Sequence, residues 1–141
     1  LRFEIEVALV EGRLRVDEIP EAWNEKMRSY LGITPPDDAQ GVLQDVHWSF
    51  GGIGYFSTYS LGNLYAAQFF HQAQRDMPDL MEQVAAGQLL GLKGWLNEHI
   101  HAQGARLTAD QLVRKVTDEG LSAQYFVDYL RTKFAPLYGL D

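Results

Sequence analysis

The sequence contains no cysteine, and this absence excludes disulfide bonds, thiolate metal sites and cysteine nucleophiles. Basic residues are also few, since 12 Lys and Arg stand against 19 Asp and Glu, for a formal net charge of −7. The basic residues are scattered and form no stripe that could follow a phosphate backbone, so nucleic acid is not an expected partner. Any chemistry must therefore come from histidine, tyrosine, carboxylate and amide side chains.

Long apolar runs are missing as well. No stretch approaches the roughly 20 apolar residues of a membrane-spanning helix, and no cationic leader with a small-residue cleavage site opens the chain. We therefore expect a cytoplasmic protein with no membrane partner. At 141 residues and 46% hydrophobic content, the chain is long enough to bury one core. We expect a single helical region, 1–141, without an internal boundary.

Sustained period-two alternation is absent, whereas apolar residues recur at three- and four-residue spacing along most of the chain. The predicted fold class is all-α, a compact bundle of six to seven helices. The predicted helices cover approximately residues 1–12, 17–32, 55–75, 78–90, 93–103, 108–117 and 122–137. Asp17, Thr108 and Ser122 are the predicted N-caps. Residues 33–45, which include two prolines and several aspartates, are predicted to form a loop.

The start of the chain resembles the middle of a helix. Residues 1–10 are amphipathic from the first position and have no Met, no cap and no polar lead-in. This pattern predicts that the chain is part of a longer protein.

Polar and aromatic groups with chemical potential are concentrated around a glycine-rich turn. His47 stands between Asp45 and Trp48 just before this turn, and Tyr55 and Tyr59 lie one helical turn apart just after it. Imidazole and phenol groups can donate hydrogen bonds to an oxyanion, an effect of about 3 kcal/mol per donor. The same groups could also bind a carboxylate. The alternative is that the His-Trp pair and the tyrosines are ordinary core residues with satisfied polar groups.

Three other patterns do not predict a site. The glycine-rich turn lacks the Lys-Ser/Thr of a phosphate-binding loop and follows no predicted strand. His99 and His101 are two residues apart on a predicted helix and point about 200° apart, so they cannot easily share one metal ion. No His-Glu-x-x-His sequence is present, and we expect no metal ligand within this chain.

Residues 41–48, Gly-Val-Leu-Gln-Asp-Val-His-Trp, match every defined position of the Gly-x-x-Gln-Asp-x-His-Trp motif of the Taq-type metallocarboxypeptidases, metallopeptidase family 32. Residues 20–24, 54–68 and 125–140 resemble the same family in the same order. Members of this family are longer and carry a His-Glu-x-x-His helix and a later glutamate, which are not found here. The chain therefore resembles the C-terminal part of such an enzyme, one wall of its active-site groove.

The resemblance implies an activity and a set of roles. The intact enzyme would remove single residues from peptide C-termini, using a metal-bound water and a glutamate base. His47 and Tyr55 would be the catalytic residues of this chain, donating to the substrate or to the oxyanion. Four residues would bind substrate or support the site: Gln44, Asp45, Trp48 and Tyr59.

The resemblance also implies a cofactor and partners for the intact enzyme. These are a divalent metal (zinc, cobalt or manganese), peptide substrates and a second copy in a homodimer. The chain alone is expected to be inactive because it lacks the metal site. The alternative hypothesis is a stand-alone helical module for peptide binding or oligomerisation.

Overall fold

A computed structural model describes residues 1–140, which contain α-helices and no strand. The α-helices, in chain order, are α1 (Arg2–Val10), α2 (Ile19–Leu31), α3 (Phe56–Asp76), α4 (Leu80–Ala85), α5 (Leu90–His99), α6 (Ala109–Thr117) and α7 (Gln124–Tyr138). Short 3₁₀ turns occur at Val16–Glu18, Val42–Gln44, Trp48–Phe50 and His101–Gln103. The all-α prediction with six to seven helices is confirmed.

The Cα positions divide the chain into two compact units, Leu1–Ser60 and the residues from Leu61 onward. Helix α3 runs through the division, so its first turn belongs to the first unit. The prediction of one region without an internal boundary stays a prediction.

Helices α1 and α2 build the core of the first unit. Ile5 of α1, Trp23 of α2 and Phe56 at the start of α3 are buried. The Arg2 guanidinium lies over the Trp23 ring, 5.1 Å from its centroid, a favourable cation–π position. The Arg2–Trp23 contact holds α1 against α2.

In the second unit, Ala73, Leu80 and Trp95 form the buried cluster, with half-buried side chains from α3 to α6 packed around it. The carboxylate of Asp76 accepts a 2.8 Å hydrogen bond from the Trp95 indole Nε1. A buried tryptophan thus has its polar atom satisfied, as packing in an apolar core requires.

A buried amide links α3 to the turn between α6 and α7. The Gln68 Nε2 donates 3.0 Å hydrogen bonds to Thr117 Oγ1 and to the Gly120 carbonyl, and its Oε1 accepts one of 2.9 Å from the Ser122 backbone N–H. All the polar atoms of this buried side chain have partners, so the cost of its burial is offset.

The predicted N-caps have three different outcomes. Thr108 caps α6 as predicted, with Gln111 returning a second hydrogen bond. Asp17 is not an N-cap, because its carboxylate is held by the Arg15 guanidinium and α2 begins after Glu18. Ala123 is the N-cap residue of α7, although Ser122 Oγ still accepts a 3.2 Å hydrogen bond from the Gln124 N–H.

The predicted helix over 78–90 is wrong as a single element. Helix α4 covers only Leu80–Ala85, and the next helix, α5, begins at Leu90 rather than at Lys93. The break lies at Gly87, whose φ of +71° ends the helical path.

Candidate functional site

The segment 41–55 combines two 3₁₀ turns with a glycine-rich reversal that leads into α3. Asp45 lies between the two turns in an extended conformation. The Gly52 N–H donates a 2.8 Å hydrogen bond to the His47 carbonyl, and a Cβ at Gly52 would stand 3.0 Å from that oxygen. A side chain at position 52 would therefore crowd the His47 carbonyl where the reversal closes.

Asp45 holds His47 at two points. Its side chain is 1% exposed, and its Oδ1 accepts a 2.9 Å hydrogen bond from the His47 backbone N–H and lies 3.3 Å from the ring Nδ1. The second oxygen, Oδ2, is paired with the Arg2 guanidinium. A buried carboxylate is stable as an anion only when it is paired and hydrogen-bonded, and Asp45 meets both conditions.

The other nitrogen of His47 contacts a tyrosine. Nε2 lies 3.1 Å from the Tyr59 hydroxyl oxygen. Because Asp45 faces Nδ1, the neutral ring carries its proton on Nδ1, and Nε2 accepts from the Tyr59 hydroxyl. A protonated His47 donates from both nitrogens. The ring can therefore act as an acceptor or as a donor at the Nε2 position.

Aromatic rings surround the imidazole of His47. The nearest is Phe56, with ring centroids 5.0 Å apart, and Tyr55 is stacked on the imidazole at 5.7 Å. Tyr55 also packs edge-to-face against Tyr59 at 5.2 Å. Tyr55 is 49% exposed. The glycine reversal therefore brings His47 and both predicted tyrosines into one aromatic cluster.

A cleft of about 530 Å³ opens beside this cluster. Of the six residues predicted for the site, four line it: Gln44, Asp45, His47 and Tyr59. The remaining wall includes α1 residues, among them Arg2 and Phe3. Clefts lined mainly by apolar groups with a few convergent polar groups are the usual binding sites of proteins.

Comparison with known proteins identifies the family. The family model for carboxypeptidase Taq (M32) metallopeptidases matches residues 1–134. This chain belongs to the M32 metallopeptidase family. It is 48% identical over 139 residues to thermostable carboxypeptidase 1 of Thermus thermophilus, and 41% identical over 138 residues to carboxypeptidase 1 of Bacillus subtilis.

The structural comparison agrees. The crystal structure of the M32 carboxypeptidase from Deinococcus radiodurans matches with a TM-score of 0.93 and 39% identity, over 98% of this chain and 28% of that one. The Thermus match covers 99% of this chain and 27% of the relative. The chain thus spans little more than a quarter of the length of the M32 proteins it matches.

Two of the six predicted site residues, Trp48 and Tyr55, lie outside the cleft wall. Trp48 turns away, and its indole Nε1 donates a 3.1 Å hydrogen bond to Glu6 Oε2. Tyr55 contacts the cleft indirectly, through its stacking on His47. Gln44, which does line the cleft, donates from Nε2 to the Ala39 carbonyl and so ties the motif to the preceding loop.

Sequence reasoning missed two residues of α1 that contact the motif. Arg2 pairs with Asp45, and Glu6 accepts hydrogen bonds from Trp48 and from the Gly54 N–H. The available signal was their spacing, since charged residues four apart share one helix face. Glu6 also follows Ile5 directly on the side of the helix that is buried.

The described residues do not fit a metal ion. Within 1–140, no group of three or more His, Asp or Glu side chains is placed to hold one. The ring of His99 packs on Trp95, whereas the Nδ1 of His101 pairs with Asn97 Oδ1 at 2.8 Å. Residues 1–140 are therefore given no metal-dependent role in hydrolysis. Separately, no described helix combines the length and apolar character needed to cross a membrane.

Proposed function

We propose that this chain forms part of the peptide-binding wall of a metal-dependent carboxypeptidase, which hydrolyses single residues from the C-termini of peptides. The observation that supports this role is His47, held between Asp45 and Tyr59 beside a cleft of about 530 Å³. In the complete enzyme, residues outside this chain would bind the divalent metal (zinc, cobalt or manganese). The metal would supply Lewis-acid chemistry.

His47 is suited to contact the scissile carbonyl or the oxyanion that forms from it. Asp45 Oδ1 lies 3.3 Å from Nδ1 and orients the ring. When the ring is protonated, Nε2 can donate to the oxyanion in place of its contact with the Tyr59 hydroxyl. A donor fixed before the reaction begins stabilises developing negative charge without reorganising. Asp45 is itself paired with the Arg2 guanidinium, which helps to fix the carboxylate opposite His47.

Tyr55 supplies the second donor in this proposal. Its ring is fixed by stacking on His47 and by edge contact with Tyr59, and about half of the residue is exposed to solvent. A phenol hydroxyl can donate a hydrogen bond to an oxyanion. Gln44, Asp45, Trp48 and Tyr59 orient these two groups and shape the groove.

The test is the activity of the longer protein that contains this chain, measured as release of C-terminal residues. We expect Tyr55→Phe and His47→Ala each to lower kcat by about 10²–10³-fold, the usual cost of removing one oxyanion donor. Tyr129→Phe is the matched control, because this tyrosine is 48% exposed and lies in the second unit. Unchanged turnover in both site variants would refute the proposed roles.

We also propose that the complete protein is a homodimer. Exposed apolar side chains near the end of α7, Leu137, Tyr138 and Leu140, are suited to contact with another protein surface. Sedimentation equilibrium of the longer protein should give twice the monomer mass. A single monomeric species across the accessible concentration range would contradict this proposal.

A further inference from the structure

Glu6 is a buried carboxylate that binds the motif from α1. The residue is 4% exposed, and each of its two oxygens accepts one hydrogen bond. Oε2 accepts from the Trp48 indole Nε1 at 3.1 Å, and Oε1 accepts from the Gly54 backbone N–H at 2.8 Å. In the sequence, the two donors lie 42 and 48 residues from Glu6 and are therefore close to each other.

These two donors stand on opposite sides of the glycine reversal. Trp48 directly follows His47, and Gly54 directly precedes Tyr55. One carboxylate therefore fixes both ends of the segment that sets the stacking of Tyr55 on His47. We propose that Glu6 is a positioning residue that holds His47 and Tyr55 in their relative geometry; this inference rests on the roles proposed above for those two residues.

A carboxylate is required for this arrangement because both partners are donors. Glutamine has the same shape but offers one acceptor oxygen, and its NH₂ group would face either the indole N–H or the Gly54 N–H. Removing one acceptor leaves a buried donor without a partner, which is more costly than the loss of a hydrogen bond at the surface. Glu6→Gln should therefore release one end of the reversal while changing the volume little.

Helix α1 contacts the motif at a second point one turn earlier. Arg2, four residues before Glu6, is paired with the buried Asp45 that holds His47. Residues at this spacing lie on the same helix face. The two side chains reach both ends of the segment from Asp45 to Gly54, so α1 acts as a common support for it.

The first test uses nuclear magnetic resonance of the 141-residue chain labelled with both ¹⁵N and ¹³C. Glu6→Gln should shift the Trp48 indole and Gly54 amide signals and the ring signals of Tyr55. Asp76→Asn is the matched control, because Asp76 also accepts from an indole N–H on one oxygen and from a side-chain amide on the other. That variant should shift the Trp95 indole and leave the Trp48 and Gly54 signals in place.

The result that would overturn the inference is a folded Glu6→Gln chain in which the Trp48 indole, Gly54 amide and Tyr55 ring signals are all unchanged. If circular dichroism shows that Glu6→Gln does not fold, Trp48→Phe replaces it, since this change removes one donor and keeps the carboxylate bound to Gly54. Trp48→Phe should then shift the Tyr55 ring signals. Unchanged Tyr55 signals in that variant would equally overturn the inference.

The second test separates positioning from mere stability in the longer protein. Glu6→Gln should lower kcat by about 10²-fold, the scale expected for a misplacement near 1 Å, with a smaller change in KM, whereas Asp76→Asn should leave both unchanged. If His47→Ala and Tyr55→Phe lower kcat but Glu6→Gln does not, this inference fails and the proposed function stands. If none of the three lowers kcat, the proposed function fails too.

Discussion

At the residue scale, Glu4 is an exposed carboxylate whose ionisation is changed by two neighbours on α2. Lys26 Nζ donates to it at 2.9 Å and the Tyr30 hydroxyl donates at 2.8 Å. These hydrogen bonds, from Lys26 first and Tyr30 second, lower the pKa of Glu4 below its ordinary value of 4.5. The hydrogen bond to Glu4 raises the pKa of Lys26 above 10.5. The charged forms of both groups are therefore favoured in the folded chain.

The lowered pKa predicts a pH dependence of stability. A group whose folded pKa is lowered contributes stability above its unfolded pKa and loses it as the pH falls through the folded pKa. The urea midpoint of the wild-type chain should therefore exceed that of Glu4→Gln at pH 7, and the difference should shrink toward pH 3. Tyr30→Phe removes one of the two donors. Its urea midpoint at pH 7 should therefore lie between those of the wild type and Glu4→Gln. A constant difference across this range would contradict the prediction.

The raised pKa of Lys26 predicts a second loss of stability, at the alkaline end of the pH range. Its contribution is present below 10.5 and is lost as the pH rises through the higher folded pKa. Lys26→Met should therefore be less stable than the wild type at pH 8, and the two should converge at strongly alkaline pH. Since the pair is exposed, added salt should weaken both effects.

At the element scale, the N-terminus of α6 is capped by two side chains, Thr108 and Gln111, that lie within four residues of sequence. Thr108 Oγ1 accepts from the Gln111 N–H at 3.2 Å, and Gln111 Oε1 accepts from the Thr108 N–H at 2.9 Å. Both donors would otherwise lack partners at a helix N-terminus. Thr108→Ala should lower the free energy of unfolding by about 1 kcal/mol in urea titration, and Thr108→Ser should lower it less. Equal effects of the two variants would exclude the capping role.

Helix α4 depends on packing rather than on its own length. It has six residues, too few for stability alone, and its first residue, Leu80, is 0% exposed in the second core. Leu80→Ala should cost about 2–5 kcal/mol by leaving a cavity. Met81→Ala, at a neighbouring position that is 52% exposed, should cost far less, and similar losses in both variants would contradict this account.

The sequence predicts those elements whose determinants are close together in the chain. The Thr108 cap and the helical spacing of apolar residues act over three or four positions, and both predictions are confirmed. Asp17 was wrongly predicted as a cap because a competing partner, Arg15, binds its carboxylate. The helix over 78–90 fails because the left-handed conformation at Gly87 overrides the apolar pattern.

The candidate site follows the same rule. Asp45 is two residues from His47, and Tyr59 is twelve residues from it. Glu6 lies 42 residues from Trp48 and 48 from Gly54. The four-residue spacing of Arg2 and Glu6 places them on one face of α1. Which residues that face contacts depends on how α1 packs, and the spacing does not encode it.

At the scale of the whole molecule, the polar cluster around His47 lies in a chain whose described residues hold no cluster of metal ligands. Within residues 1–140, no set of three His, Asp or Glu side chains can hold an ion. We therefore expect the purified chain to retain no stoichiometric zinc after dialysis, as measured by mass spectrometry of the metal. One tightly held ion per chain would reveal a metal site and contradict this expectation.

This chain spans 27% of the length of its Thermus relative, and we expect that peptide hydrolysis requires the longer protein. The most direct measurement compares release of C-terminal residues from peptides by the 141-residue chain and by the longer protein that contains it, each with added zinc, cobalt or manganese. The account predicts activity only in the longer protein, and loss of that activity on His47→Ala. Activity of the chain alone, or full activity of the His47→Ala protein, would contradict it.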